Sequence, residues 1–229
     1  MFRGIFFDGN GTLVDNSWQD AVDAQIMARL RTFGGFADKE FYAALTKLAG
    51  EYDAKNRMGY KTGLEFLVKN IPKELNLGLN AAQATNLYQM VEDYRRKNVK
   101  LYDNAQKLLK ELAGEYKLSL ISDDTFSEVR ESLHEFGVLD MFSHVFMTAE
   151  LDADKESGSV FSLALSRTGL RAEECLMVGD SIEKDGKCRT LGIKFCLVVR
   201  KAREYDSSTY DFKIETLNEL PKIVGSDIL

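Results

Sequence analysis

The sequence predicts an α/β protein whose parallel sheet is interrupted, directly after its first strand, by an all-helical insert. Three observations predict it. Ile5, Phe6 and Phe7 form a short apolar run of β-forming residues, the kind found in strands buried on both faces of a parallel sheet. Residues 16–99 place their apolar side chains at helical spacing and carry no strand pattern. From Leu101 onward, short apolar runs alternate with helical stretches, which implies right-handed crossovers and parallel strands.

In the insert, Ser17 is placed to cap a helix through Ala21, Val22, Ile26, Met27 and Leu30, with Gly34-Gly35 ending it. Asp38 is placed to cap a second, with Phe41, Tyr42, Leu45 and Leu48 on one face and Gly50 beyond its end. Thr62–Asn70 and Asn80–Lys97 carry two further stripes, and Pro72 and Gly78 break the chain between them. Such stripes form the core of a small bundle.

In the second region, helices are expected over Ala105–Gly114, Ser127–Phe136, Ser159–Thr168, Ile182–Leu191 and near Leu217–Val224. Strands are expected over Leu118–Ser122, His144–Thr148, Cys175–Asp180 and Lys194–Val199. A Rossmann-like α/β domain is therefore assembled from residues 1–15 and 100–229, with a helical domain from 16–99.

The formal net charge of −6 argues against a nucleic-acid binder held by a basic surface, yet leaves room for a small anion held by a few cations. No apolar stretch approaches the ~18 residues of a membrane span. The three cysteines, Cys175, Cys188 and Cys196, sit in or beside apolar runs and read as core thiols of a reducing compartment. The chain opens directly on its first strand, and a cytoplasmic location is expected.

The chemistry gathers at strand ends. Asp8 follows the first strand and is flanked by Gly9 and Gly11, which let the backbone turn and bring its N–H groups towards an anion. Ser122-Asp123-Asp124 ends a second strand and Asp180 a third, with Asp185 opening the helix beyond. Open α/β sheets put their ligand crevice along that edge. Carboxylates of Asp8, Asp180 and Asp185 brought together would repel unless a hard divalent cation such as Mg²⁺ offsets them; the alternative for Asp180 and Asp185 is helix N-terminal capping. Lys155 lies in a polar loop ahead of a helix and on its own reads as a solvated lysine.

Four segments together resemble the haloacid dehalogenase-like hydrolase superfamily, in the branch with a helical cap inserted after the first motif. They are Phe6–Thr12, the strand ending at Ser122, Lys155 ahead of Ser159-Val-Phe161, and Val178-Gly-Asp180-Ser181 through Asp185. The resemblance implies a phosphatase mechanism. Asp8 would attack phosphorus and become an aspartyl-phosphate, which water hydrolyses. It implies Mg²⁺ held by Asp8, the main-chain carbonyl of Asn10, Asp180 and, through water, Asp185. Ser122, Lys155 and main-chain N–H groups near Gly9, Asn10 and Asp123 would hold the phosphoryl group. The expected partner is a small phosphorylated metabolite, chosen by the cap, where Arg57, Tyr60 and Lys61 are the candidate contacts and Trp18 lies near the hinge.

The chain departs from the family pattern at Asn10, where an aspartate usually serves as general acid and base. A carboxamide hydrogen-bonds but exchanges no proton at neutral pH, a loss that typically costs ~10²–10⁴ in rate. Three readings of Asn10 stay open: an engineered change, a natural enzyme for a good leaving group such as an acyl phosphate, or a feeble catalyst that acts by binding phosphate and metal in regulation. Gly9, Asp123 and Glu156-Ser157-Gly158 also depart from the pattern. A metal-independent 2-haloacid dehalogenase needs no acid, but the Asp180–Asp185 segment resembles the metal-binding version. A sugar-phosphate mutase would need the missing acid.

Overall fold

The computed structural model describes residues 1–52, 60–102, 104–124, 128–200 and 204–225. In chain order its elements are β1 Gly4–Phe7, β2 Val14–Asp15, α1 Trp18–Leu30, α2 Asp38–Glu51, α3 Gly63–Glu74, α4 Ala81–Asn98, β3 Lys100–Leu101, α5 Ala105–Leu112, β4 Lys117–Ser122, α6 Glu128–Glu135, β5 His144–Met147, α7 Ser159–Thr168, β6 Cys175–Gly179, β7 Lys194–Val198, β8 Phe212–Ile214 and α8 Leu220–Val224. They divide into two compact units. One comprises Met1–Asp15, Lys100–Asp124 and Val129–Leu229; the other comprises Asn16–Val99 and Thr125–Glu128.

The first unit holds a six-stranded sheet of order β5-β4-β1-β6-β7-β8, and every neighbouring pair in it is parallel. β1 pairs with β4 through Phe7↔Leu120 and with β6 through Phe7↔Val178. It is therefore central, and the strand order reverses at it. Ile5, Phe6 and Phe7 are fully buried. Phe6 packs into a cluster with Ile121, Phe146, Phe161, Met177 and Phe195, while Phe7 meets Phe142 edge-on at 6.3 Å. Both faces of β1 are thus covered, which is why its apolar residues run on without alternating. A separate antiparallel ribbon joins β2 and β3 through Val14↔Leu101 and Asp15↔Lys100. All three cysteines are buried free thiols.

In the second unit α3 packs on both α2 and α4, and α1 on α4. Several local expectations are corrected there. Ser17 occupies the N-cap position of α1 without a side-chain capping bond, and α1 ends at Arg31 in ordinary right-handed geometry rather than at the glycines. Asp38 is the first residue of α2 rather than its cap; its carboxylate is taken by Arg31, and Glu40 reaches back to the Ala37 N–H at 2.7 Å. Gly50 lies inside α2, which continues to Glu51. The turn beyond it seats Tyr52, 8% exposed, against Phe66 at 5.2 Å, and that burial outweighs the ~1 kcal/mol that glycine costs a helix. Pro72 sits in the last turn of α3 instead of breaking the chain, and its carbonyl accepts the Leu77 N–H at 2.8 Å.

Two corrections fall in the first unit. The segment expected as a helix over 182–191 is a 3₁₀ helix, Asp185–Leu191, entered through Asp185 N–H to the Ser181 carbonyl at 2.8 Å. The edge strand β8 was not expected: it has three residues, and of these Ile214 is buried whereas Lys213 is exposed. No helix among the described residues is long and apolar enough to cross a membrane.

Candidate active site

The carboxyl ends of β4, β1 and β6 bring the polar residues of three sequence-distant segments to one edge. A cavity of about 260 Å³ opens there, lined by Asp8, Asn10, Ser122, Lys155, Asp180 and Asp185, and also by Asp123, Asp124, Ser181 and Lys184. Asp8 directly follows β1, and its N–H donates to the Val178 carbonyl at 2.9 Å, which carries the β1–β6 ladder one residue further. The backbone that carries the side chain is thereby fixed by the sheet rather than by a loop.

Lys155 is 2% exposed. Its Nζ donates to Asp8 Oδ1 at 2.5 Å and to Asp185 Oδ1 at 2.7 Å. Burial would pull its pKa down, but the Asp185 and Asp8 charges outweigh that and hold the ammonium above the ordinary lysine value. Its loop is tied locally: Asp154 accepts the Ser157 N–H at 2.6 Å and its hydroxyl at 3.0 Å, and Ser159 Oγ accepts the Asp154 N–H at 2.9 Å. This knot stiffens the Glu156-Ser157-Gly158 stretch without a proline.

Asp185 is 1% exposed and also accepts the Ser181 N–H at 3.1 Å. One oxygen from each of Asp8, Asp180 and Asp185 lies within 4.8 Å of the others. Burial and then the Asp8 charge push the Asp180 carboxyl up to about 6, with Lys155 and Arg200 opposing. Burial likewise pushes Asp185 upward against the pull of Lys155. Three carboxylates thus face one ammonium, and burial, reinforced by the Asp8 charge, accounts for both shifts. This set of hard oxygen donors fits a divalent cation such as Mg²⁺.

The turn after Asp8 is compact. The Gly9 carbonyl accepts the N–H groups of Leu13 at 2.9 Å and Val14 at 3.0 Å, and the Gly11 N–H reaches back to the Val14 carbonyl at 2.9 Å. Gly11 has φ +78, and a Cβ there would collide with the Asp180 carboxylate. A Cβ on Gly9 would sit 2.6 Å from Val129 Cγ1 and 2.9 Å from Ser122 Oγ. The departure at Gly9 therefore has a steric reason: Val129 of α6 fills the space that a larger residue would need.

Gly9, Asn10, Ser122, Asp123, Lys155, Asp180 and Asp185 are thus brought together with Asp8. Asp123 turns its side chain to Lys184 at 3.0 Å and to Thr148 at 3.0 Å, leaving its main chain as the phosphate-binding candidate. Tyr60 and Lys61 belong to the helical unit. There Tyr60 Oη accepts from Asn70 at 3.0 Å and its ring meets Phe66 edge-on at 5.3 Å, while the Lys61 N–H donates to Glu65 at 2.8 Å. Arg57 lies outside the described residues. Trp18 is 5% exposed and lines a small apolar cavity with Val22, Ile26 and Leu67, which is the core role.

Two residues, Lys184 and Arg200, escaped sequence reasoning, and a third, Asp124, is expected at the strand end but carries no assigned role. Lys184 lines the cavity, and its position next to Asp185 was the available signal. Asp124 accepts the Val129 N–H at 2.9 Å and fixes the start of α6. Arg200 follows β7 and donates to the carbonyls of Gly11 at 2.7 Å and Thr12 at 2.8 Å; a cation two residues past a strand end was its only sign.

Residues 2–187 match the family model of the haloacid dehalogenase-like hydrolases. A glyceraldehyde 3-phosphate phosphatase of Methanocaldococcus jannaschii is 33% identical, over 98% of this chain and 97% of its own. A second protein of that name, from Methanopyrus kandleri, is 23% identical over 98% and 97%. Among solved structures, a HAD phosphatase from Thermococcus onnurineus superposes with a TM-score of 0.72 over 100% of both chains at 22% identity. A 2-haloacid dehalogenase from Pseudomonas syringae pv. tomato gives 0.70 over 98% and 99% at 19% identity, so the fold is shared between both chemistries. With the family model spanning most of the chain and the strand-end residues converging as they do, this protein belongs to the haloacid dehalogenase-like hydrolases.

Proposed function

We propose that this chain is a Mg²⁺-dependent phosphohydrolase acting on a small phosphorylated metabolite, with Asp8 as nucleophile. One observation carries the reading: Asp8 stands at the end of the central strand with the Lys155 ammonium 2.5 Å from one oxygen and with the Asp180 and Asp185 carboxylates clustered beside it. Asp8 attacks phosphorus with an oxygen lone pair as the bond to the leaving oxygen breaks, and water then cleaves the aspartyl-phosphate, returning Asp8 and releasing phosphate. Lys155 holds the Asp8 carboxylate in place and offers positive charge to the phosphoryl oxygens. Ser122, 1% exposed, offers its hydroxyl at the same edge. Asp8, Asp180, the Asn10 carbonyl and Asp185 would hold Mg²⁺, which when bound would neutralise the clustered carboxylates and the phosphate charge.

Asn10 lines the cavity yet can neither give nor take a proton there. The reading therefore favours leaving groups that depart without protonation, such as acyl phosphates, over simple alkyl phosphates. The helical unit is assigned the role of a cap that selects the substrate, through Tyr60 and Lys61 among the described residues. Two relatives carry the name glyceraldehyde 3-phosphate phosphatase, and that compound, an alkyl phosphate, serves as the candidate whose departure would need the missing acid.

The test is phosphate release from acetyl phosphate, p-nitrophenyl phosphate and glyceraldehyde 3-phosphate, with and without Mg²⁺, by this chain and by Asn10→Asp. Mg²⁺-dependent release from acetyl phosphate is expected. A gain of ~10² or more on the alkyl phosphate is expected for Asn10→Asp. Absence of turnover by either protein, with Mg²⁺ and phosphate still bound, would replace this reading with that of a regulatory phosphate-binding protein. Halide release from a 2-haloacid that survives EDTA would replace it with the dehalogenase.

A further inference from the structure

We propose that Arg200 is a positioning residue for the reaction, a clamp that holds the turn after Asp8 in its working shape. Its Nε and Nη2 donate to two successive carbonyls, Gly11 at 2.7 Å and Thr12 at 2.8 Å. These carbonyls belong to the turn that carries Asn10 and that brings Gly11 against the Asp180 carboxylate. A planar guanidinium holds both at once from two nitrogens with fixed N–H directions, whereas an ammonium offers a single nitrogen at the end of a flexible stem.

The clamp is itself held in place by an aromatic ring and by the sheet. The Arg200 guanidinium lies 3.7 Å above the centre of the Tyr102 ring, a distance at which a cation is held over the aromatic face. Tyr102 is tied to the same turn through its N–H to the Leu13 carbonyl at 2.9 Å, and its Oη reaches Asp15 at 3.4 Å. The residue before Arg200 is anchored to the sheet by the Val199 N–H to the Ile214 carbonyl at 2.9 Å. A sequence-distant cation thus links the β7–β8 edge and the β2–β3 ribbon to the short segment following the nucleophile.

What Arg200 supplies is geometry at the reacting centre, where a misplacement of about 1 Å can cost ~10²-fold in rate. Its kinetic consequence rests on the phosphohydrolase reading; its effect on the turn does not. The experiment compares wild type, Arg200→Ala and Arg200→Lys, all as the full chain. Amide hydrogen exchange of Leu13 and Val14 reads the turn, Mn²⁺ titration reads the carboxylate site, and kcat and KM for acetyl phosphate read catalysis.

Arg200→Ala is expected to speed exchange at Leu13 and Val14 by ~10-fold or more while leaving β4 amides as they were. It is expected to weaken Mn²⁺ binding by several-fold, on the order of 5, and to lower kcat by ~10–10² with KM within about two-fold. Arg200→Lys keeps the charge and loses the fork, so on all three readouts it should stay closer to Arg200→Ala than to wild type. Wild-type exchange and kcat in Arg200→Ala overturn the proposal, as does full recovery of both by lysine, which would leave only a charge effect. If Arg200→Ala does not fold, Arg200→Lys together with Tyr102→Leu decides the matter on the same readouts. If wild type turns nothing over, the phosphohydrolase reading fails while the exchange and Mn²⁺ arms still judge the clamp.

Discussion

Each unit of the molecule buries a cation among carboxylates, and the two arrangements are opposite in charge balance. In the helical unit Arg95 is 2% exposed and donates from Nε and Nη2 to both oxygens of Glu92 at 2.9 and 2.8 Å, while Arg96 adds a third bond to the same carboxylate at 2.8 Å. Burial would raise the Glu92 pKa, but the guanidiniums win and lower it. In the sheet unit Lys155 is equally buried and is outnumbered by the carboxylates of Asp8, Asp180 and Asp185, and Asp180 is pushed up instead. The pair in α4 is made within one helix turn, satisfied, and structural in character. The cluster at the strand ends is assembled from three distant segments and left with excess negative charge. Excess charge held rigidly is what a site for a cation and an anionic substrate needs, and a satisfied pair offers neither.

The largest break of this comparison removes the cation from each side. Lys155→Met should lower phosphatase kcat by ~10³-fold or more while far-UV circular dichroism stays native, because the charge that faces the phosphoryl group is gone. Retention of kcat within ten-fold, roughly, would take Lys155 out of the mechanism. In α4 the matching change is Glu92→Gln, which leaves Arg95 buried beside a neutral group. Urea denaturation should show a loss of about 2–3 kcal/mol, with Mg²⁺ half-saturation unchanged. An unaltered stability would mean that the guanidinium finds water or other partners at no cost.

A finer test uses pH, because the two carboxylates shift in opposite directions. Asp180 has a folded-state pKa of about 6, above its ordinary 3.8. The folded protein therefore binds the extra proton between those values, and this group's contribution to stability falls as pH rises through the window. Glu92 lies below its ordinary 4.5, so its contribution is present above that value and is lost as pH falls. In metal-free protein, going from pH 4.5 to 6.5, Asp180→Asn should gain stability relative to wild type by about 1–2 kcal/mol. Glu92→Gln should show its full deficit at pH 6.5 and a smaller one at pH 4.5. Urea midpoints at the two pH values check both signs, and movement of both variants in the same direction would remove the contrast.

The order of the buried strands and of most helices was legible in the sequence because those elements announce themselves locally. Ile5–Phe7 and Cys175–Val178 are continuous apolar runs, and burial on both faces needs no partner to be inferred. The site residues at Asp8, Ser122 and Asp180 were legible because each ends such a run. Local punctuation was less secure. Asp38 is drawn off its capping role by Arg31, and Gly50 is carried inside α2. Both outcomes depend on a neighbour beyond the turn itself. Strand β8 was missed because an edge strand with an exposed Lys213 lacks the pattern of a buried one.

By itself, then, the sequence determined the α/β class, the place of the helical insert and the residues that meet at the sheet edge. Only the tertiary structure decided that Lys155 is buried between Asp8 and Asp185, that Gly9 is required by Val129, and that Arg200 clamps the carbonyls of Gly11 and Thr12. The reason is physical. Periodicity and chain punctuation are set by residues within a few positions of one another, whereas the charge, space and hydrogen-bond partners around a side chain are set by whatever the fold brings to it, here from up to 189 residues away.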